Sequence, residues 1–185
     1  TFLFIILLIM LLFLLSMCQK LNTNNYKITQ DINIFKISFS KEGKILGIDS
    51  GKKKIGIAIS DNLKRIALTH KTIYRKKLAI DLLNITNIIE KNNIKSIVLG
   101  LPLNKDGTKG PIAQSAITFG NSLLKEYNLP ILLWDERFST IGILREMKQA
   151  GIKKDNIEKN IDAASATWIL QSALDTFNNN LKVDA

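Results

Sequence analysis

Ile45-Leu-Gly-Ile-Asp-Ser-Gly-Lys-Lys-Lys-Ile-Gly-Ile-Ala-Ile-Ser60 is the stretch that decides the fold. Ile45–Asp49 and Ile55–Ser60 are short apolar runs rich in β-branched Ile. Gly51-Lys52-Lys53-Lys54 between them reads as the turn of a β-hairpin. Ala67–Ile73 could add a third strand. The period then changes: Leu78, Leu82, Ile85, Ile88 and Ile89 recur at helical spacing, predicting a helix from Leu78 to Lys91.

Downstream, helices and strands alternate. Ser96–Leu101 reads as a buried strand, followed by a polar loop from Pro102 to Gly110. Pro111 suits the first position of a helix. Ala113, Ala116, Ile117, Gly120 and Leu124 give that helix one narrow face of mostly small residues. Pro130–Trp134 is the next strand and ends at Asp135-Glu136-Arg137. Ser139 or Thr140 could cap a helix to Ala150, with Gly151 as its stop. Ile161 to Phe177 makes the last helix, and the tail from residue 179 to 185 is expected to fray. A hairpin followed by alternating helices and strands implies an α/β domain over 45–178 with a mixed sheet.

Upstream, residues 1–44 read as a leader outside the fold. Phe2 to Leu15 is an unbroken apolar run, shorter than the roughly 18–20 residues of a membrane span and closer to a signal-peptide core. An Asn- and Lys-rich, acid-poor stretch follows it. Three readings stand: a two-part leader into a plastid, a bacterial protein with an over-extended start, or a membrane anchor. The first two leave the domain in a reducing compartment, the plastid stroma or the bacterial cytoplasm.

The chain carries 26 basic and 16 acidic residues, a net charge of +10. The first 44 residues hold only five of the basic and two of the acidic groups, so most of the excess stays with the domain. A domain this basic attracts polyanions such as nucleic acid or ribosomes, although general solubility in a Lys-rich chain is an alternative reading. One Cys and one His exclude an internal disulfide and a Cys/His zinc site. A metal would have to be held by oxygen, which points to Mg²⁺ or Mn²⁺.

Three carboxylate positions could do so. Asp49 ends the first strand, at the rim where open α/β sheets form clefts, with Gly47 and Gly51 leaving room beside it. Asp135-Glu136 ends a later strand in the same manner. Side chains alternate along a strand, so one of the two should face the cleft, and sequence leaves open which. Asp162 shares a helical stripe with Ala166, Ile169 and Ala173. Each has a bland reading: a turn Asp, a surface pair bridged to Arg137, and an Asp at a helix N-terminus. Together they suit phosphodiester hydrolysis. That reaction uses two divalent ions about 3.5–4 Å apart, bridged by clustered acids that repel one another without cations.

Four motifs carry a family resemblance. Ile48-Asp49-Ser-Gly-Lys-Lys-Lys-Ile-Gly-Ile-Ala-Ile-Ser-Asp61 resembles the opening motif of the YqgF/RuvX family, and Gly100-Leu-Pro-Leu-Asn-Lys-Asp-Gly-Thr-Lys-Gly-Pro111 its central loop. Leu133-Trp-Asp-Glu-Arg-Phe-Ser-Thr140 resembles the third motif and Ile161-Asp-Ala-Ala-Ser-Ala-Thr-Trp-Ile-Leu-Gln-Ser172 the last. The pattern departs at Ser50, where an aromatic residue is usual, at Thr69-His70, and at Ile161.

The resemblance implies an RNase H-like fold in three layers, its mixed sheet holding one antiparallel strand from the N-terminal hairpin. It implies a metal-dependent nuclease that matures the 5′ end of pre-16S ribosomal RNA, or a Holliday junction resolvase acting on branched DNA. It further implies metal-ligand roles for Asp49, for Glu136 or Asp135, and for Asp162. A silent nucleic-acid-binding module of the same fold is the non-enzymatic alternative. The state could be monomer or homodimer, with the ribosome as a possible partner.

Around the acids, Lys52, Lys53 and Lys54 could track a nucleic-acid backbone, as could Lys64-Arg65 and Arg75-Lys76-Lys77, unless they are merely solvated faces. Asn104 and Thr108, in the loop before Pro111, could help a helix start hold a phosphate, or could simply build a tight turn. Arg137 could clamp the scissile phosphate or orient the neighbouring acids. His70 reads as a surface residue more readily than as a general base. Trp134 and Trp168 read as core.

Overall fold

The computed structural model describes residues 26–38, 42–135 and 154–179, the last segment with side chains from 164 to 178. In chain order the elements are β1 (Ile28–Thr29), α1 (Ile32–Ser38), β2 (Lys44–Ser50), β3 (Lys54–Ser60), β4 (Ala67–Tyr74) and α2 (Leu78–Lys91). They continue with β5 (Ile94–Leu101), α3 (Pro111–Tyr127), β6 (Ile131–Asp135) and α4 (Lys154–Asn179).

The strands form one sheet in the order β1-β6-β5-β2-β3-β4. β3 pairs antiparallel with both β2 and β4, while the pairings β2–β5, β5–β6 and β1–β6 are parallel. The hairpin partner β3 is thus the strand that runs against the others, as the sequence implies. Both faces of the central strands are covered, which is why β2, β3 and β5 read as nearly continuous apolar runs.

On one face Leu46, Ile48, Leu99, Leu101 and Leu133 pack with Ile85 and Ile88 of α2 and with Ala113, Phe119 and Leu123 of α3. On the other, Ile45, Ala58, Val98 and Leu132 pack with Ala166, Ile169, Leu170, Ala173 and Leu174 of α4. Helices therefore flank the sheet on both sides, giving a three-layer α/β domain around a mixed sheet.

Three details differ from the sequence reading. First, residues 1–44 do not all lie outside the fold. β1 extends the sheet beside β6. α1 buries Phe35, whose ring lies 5.7 Å from that of Phe177 at the far end of α4. Asp31 caps α1, accepting from the N–H groups of Asn33 and Ile34 at 2.7 and 3.3 Å. Second, α4 begins at Lys154 rather than Ile161. Third, the buried stripe of α3 includes Phe119 and Leu123, while Ile117 and Leu124 are only partly buried.

The fraying tail from 179, the helix expected after Ser139 and the apolar run Phe2–Leu15 fall largely or wholly outside the described residues. Among those described, no helix is long and apolar enough to cross a membrane.

Candidate functional site

Asp49 is the penultimate residue of β2, half-buried, opposite Gly56 of β3. Its neighbours along the strand show which way it faces. Leu46 and Ile48 pack under α2 and α3, whereas Ile45 belongs to the α4 side. Strand alternation therefore puts Gly47 and Asp49 on the α4 side. Gly47 lets the helix come close. A Cβ there would stand 2.7 Å from Cβ of Leu170 and 3.0 Å from the carbonyl oxygen of Ala166. Any side chain would push α4 off β2.

α4 is held at this height by polar contacts along β4. The Gln171 side-chain oxygen accepts from the N–H of Ala67 at 2.8 Å, and the hydroxyls of Thr69 and Thr167 lie 2.9 Å apart. Ala67 pairs with Ser60, and Thr69 pairs with Ala58, which in turn pairs with Gly47. The helix thus descends the sheet towards the end of β2 as its residue numbers fall. The stripe Ala166, Ile169 and Ala173 is buried, as read from sequence. Asp162 lies on the same helix one turn earlier, and its side chain is outside the described residues.

Asp135 ends β6, opposite Leu101 of β5, and is exposed. Leu133 and Leu101 both belong to the cluster under α2 and α3. Asp135 shares their alternation, so it lies on the opposite face from Asp49. Trp134 faces α4 instead: it packs against the cluster of Ala166, Ile169 and Leu170, and its indole N–H donates to Ser172 Oγ at 2.7 Å. Glu136 and Arg137 are outside the described residues. Among those described, no group of three or more His, Cys, Asp or Glu side chains comes together to hold a metal. Asp49 and Asp135 are the members of the expected set that can be seen.

The turn after Asp49 is built by a residue that sequence placed only in a basic run. Arg75 donates its backbone N–H to the Lys53 carbonyl at 3.0 Å and its Nη1 to the Gly51 carbonyl at 3.0 Å. Its guanidinium lies 5.0 Å over the Phe119 ring and 3.5 Å, through Nε, from Oδ2 of Asp81. Asp81 is 1% exposed and also accepts from the Lys76 N–H at 3.0 Å. A signal for Asp81 was present: it sits three residues after Leu78 and four before Ile85, on the apolar face of α2.

Lys52 and Lys53 are exposed on the same turn, while the Lys54 ammonium lies 5.8 Å over the Tyr74 ring. Asn104 and Thr108 hold each other in the loop before α3. Asn104 Nδ2 donates to Thr108 Oγ1 at 2.8 Å, and that hydroxyl donates to Asp106 Oδ1 at 2.7 Å. Gly107, at φ 86°, closes the turn with its N–H on the Asn104 carbonyl at 2.8 Å. His70 is exposed at the point where the β3–β4 register slips. Partial burial, with Lys71 beside it, lowers its pKa below the usual imidazole value. Trp168 is half-buried.

A family model described as "RuvX: Holliday junction resolvase" matches residues 43–176. A relative from Zymomonas mobilis subsp. mobilis, named "Putative pre-16S rRNA nuclease", is 35% identical over 161 residues, covering 87% of this chain and 98% of its own. Another of the same name from Rhodobacter capsulatus is 40% identical over 141 residues, covering 76% and 89%. The solved structure "T. thermophilus RuvC in complex with Holliday junction substrate" aligns with 73% of this chain and 96% of its own, at 10% identity and a TM-score of 0.47. With a family model matching most of its length, and relatives this similar along nearly their whole length, the chain belongs to the YqgF/RuvX family.

Proposed function

We propose that the protein is a metal-dependent endonuclease that hydrolyses phosphodiester bonds, with Asp49, Glu136 and Asp162 as its metal-holding carboxylates. The observation that carries this reading is the descent of α4 along β2. From the level of Ala67 to that of Thr69, the helix partner steps back from Gln171 to Thr167. Two strand residues rise about 6.7 Å and four helical residues about 6 Å, so the two elements stay in step. One more such step leads from Gly47 to Asp49 on the strand and to the turn containing Asp162 on the helix. For the third acid, alternation along β6 favours Glu136, because Asp135 belongs to the far face.

The donor set suits a hard divalent cation. It is all oxygen and begins with a half-buried carboxylate at a strand end. When bound, Mg²⁺ or Mn²⁺, as a pair, supplies acidity to a water and positive charge for the leaving oxygen. The chain's part is to hold the acids on rigid elements and to draw the substrate in. Lys52 and Lys53, on the turn next to Asp49, attract the backbone of the strand to be cut. Asn104 and Thr108 order the loop that delivers the N-terminus of α3 beside that turn. Arg137 is placed by sequence next to the third acid, where it could pair with the scissile phosphate.

The substrate is proposed to be the 5′ region of a pre-16S-type ribosomal RNA, on the names of the relatives. The family model's description supports a second reading, cleavage of a four-way DNA junction. The experiment offers both substrates to one preparation of the full chain with Mg²⁺ or Mn²⁺. Cleavage of one of them is expected to leave 5′-phosphate and 3′-hydroxyl ends and to stop on chelation. Asp49→Asn should lower the rate by on the order of a hundredfold or more. Equal cleavage by Asp49→Asn would remove the first ligand and the mechanism with it.

A further inference from the structure

A second polar site lies behind Asp49, on the other side of the sheet. Ser50 follows Asp49 and alternates with Ile48, so it faces α2 and α3. It opens onto a cavity of about 110 Å³ bounded by Lys52, Arg75, and Pro111, Ile112 and Ser115 of α3. Three independent features make this a place for an anion. The Ser50 hydroxyl oxygen is buried and has no hydrogen-bond partner within the protein. Such an orphan is costly unless a ligand or water meets it. The N-terminus of a 17-residue helix opens at the same wall, and no side chain caps it. Two cationic side chains, Lys52 and Arg75, line the cavity.

Arg75 is fixed there by its bonds to the Gly51 carbonyl and Asp81, which use only part of its five N–H donors. Asp81 is buried behind the guanidinium and does not line the cavity. A wider groove of about 560 Å³ continues from Arg75 and Ser115 along α3, past Leu78, Thr118 and Ser122. Its walls mix apolar and hydroxyl groups, as a nucleoside requires.

We infer that this cavity binds a backbone phosphate of the substrate strand next to the scissile one, with the following nucleoside running onto the α2–α3 groove. The identity of the strand rests on the nuclease reading above; the anion site itself does not. Ser50, Lys52, Arg75 and the α3 N-terminus hold the phosphate. Asp81 is a positioning residue that acts through Arg75.

The test is binding of a short fluorescein-labelled single strand by the full chain in EDTA, followed by anisotropy across a salt series. Ser115→Glu puts a carboxylate at the cavity mouth. It is the primary variant because Ser115 is exposed and an acid in the first turns of a helix is compatible with folding. It should weaken binding at low salt by about tenfold and lower the log–log salt slope by about 0.7, the loss of one phosphate contact. Ser115→Gln should keep the parent slope, and Arg75→Lys should weaken binding without unfolding the chain. A strand with a neutral methylphosphonate backbone should not distinguish Ser115→Glu from the parent.

An unchanged slope in Ser115→Glu overturns the site, as does equal loss on the neutral strand. If the slope stays while Asp49→Asn abolishes cleavage, the nuclease reading stands and the phosphate site falls. If the slope drops while Asp49→Asn still cuts, the phosphate site stands and the proposed ligand set falls.

Discussion

Asp135 and Glu136 are neighbours in sequence, yet the proposed mechanism gives them different work. Asp135 shares its side of the sheet with Leu133 and Leu101, away from Asp49. Glu136→Gln should therefore lower cleavage by on the order of a hundredfold, whereas Asp135→Asn should change it by only about threefold or less. Rates on one substrate, with folding checked by circular dichroism, decide between them. The reverse order would exchange the two roles. Sequence could show that an acid ends this strand but not which acid faces the site. Ile131-Leu-Leu-Trp134 is apolar on both faces, so no alternation marks the inner side. Arg75 was hidden for a related reason. Within Arg75-Lys76-Lys77 nothing distinguishes the cation that turns inward, and only the burial of Asp81 singles it out.

At the scale of elements, periodicity did most of the work. The hairpin, the α2 span and the Pro111 start of α3 all follow from apolar spacing and one proline. The start of α4 did not, because Lys154–Asn160 is almost wholly polar and has no stripe to read. β1 was invisible as well, since two residues carry no period. The contact between β2 and α4 matters most for the site, and it depends on Gly47. Gly47→Val would place atoms inside the space of Leu170 and the Ala166 carbonyl. Overpacking of this kind costs about 1–3 kcal/mol, to be read from the urea midpoint. Because the forced shift moves the helix that bears Asp162, cleavage should fall more than the loss of stability explains. A variant with normal activity and stability would show that α4 does not need this close approach.

Across the whole molecule, the N-terminal segment and the last helix close on each other. Phe35 stacks on Phe177, and the Lys36 ammonium donates to the Phe177 carbonyl at 3.2 Å, a cation at the C-terminal end of α4. Composition alone made residues 26–38 look like part of a leader. Their place in the fold comes from one buried ring and one strand pairing, which are tertiary facts. Phe35→Ala should cost about 3–5 kcal/mol if the segment and the domain unfold together. If the segment detaches first, hydrogen exchange will show β6 losing protection while β2 and β3 keep theirs. Unaltered protection and an unaltered midpoint would mean that the segment contributes nothing to stability.

β1 also sets a limit on how far the N-terminus could be trimmed. A peptidase trimming this polypeptide would have to cut upstream of Ile28, because removing Ile28 and Thr29 would bare the edge of β6. Trimming into Asp31 would cost α1 its cap as well. An unpaired strand edge is a template for joining another chain, so over-trimmed protein should self-associate where correctly cut protein does not.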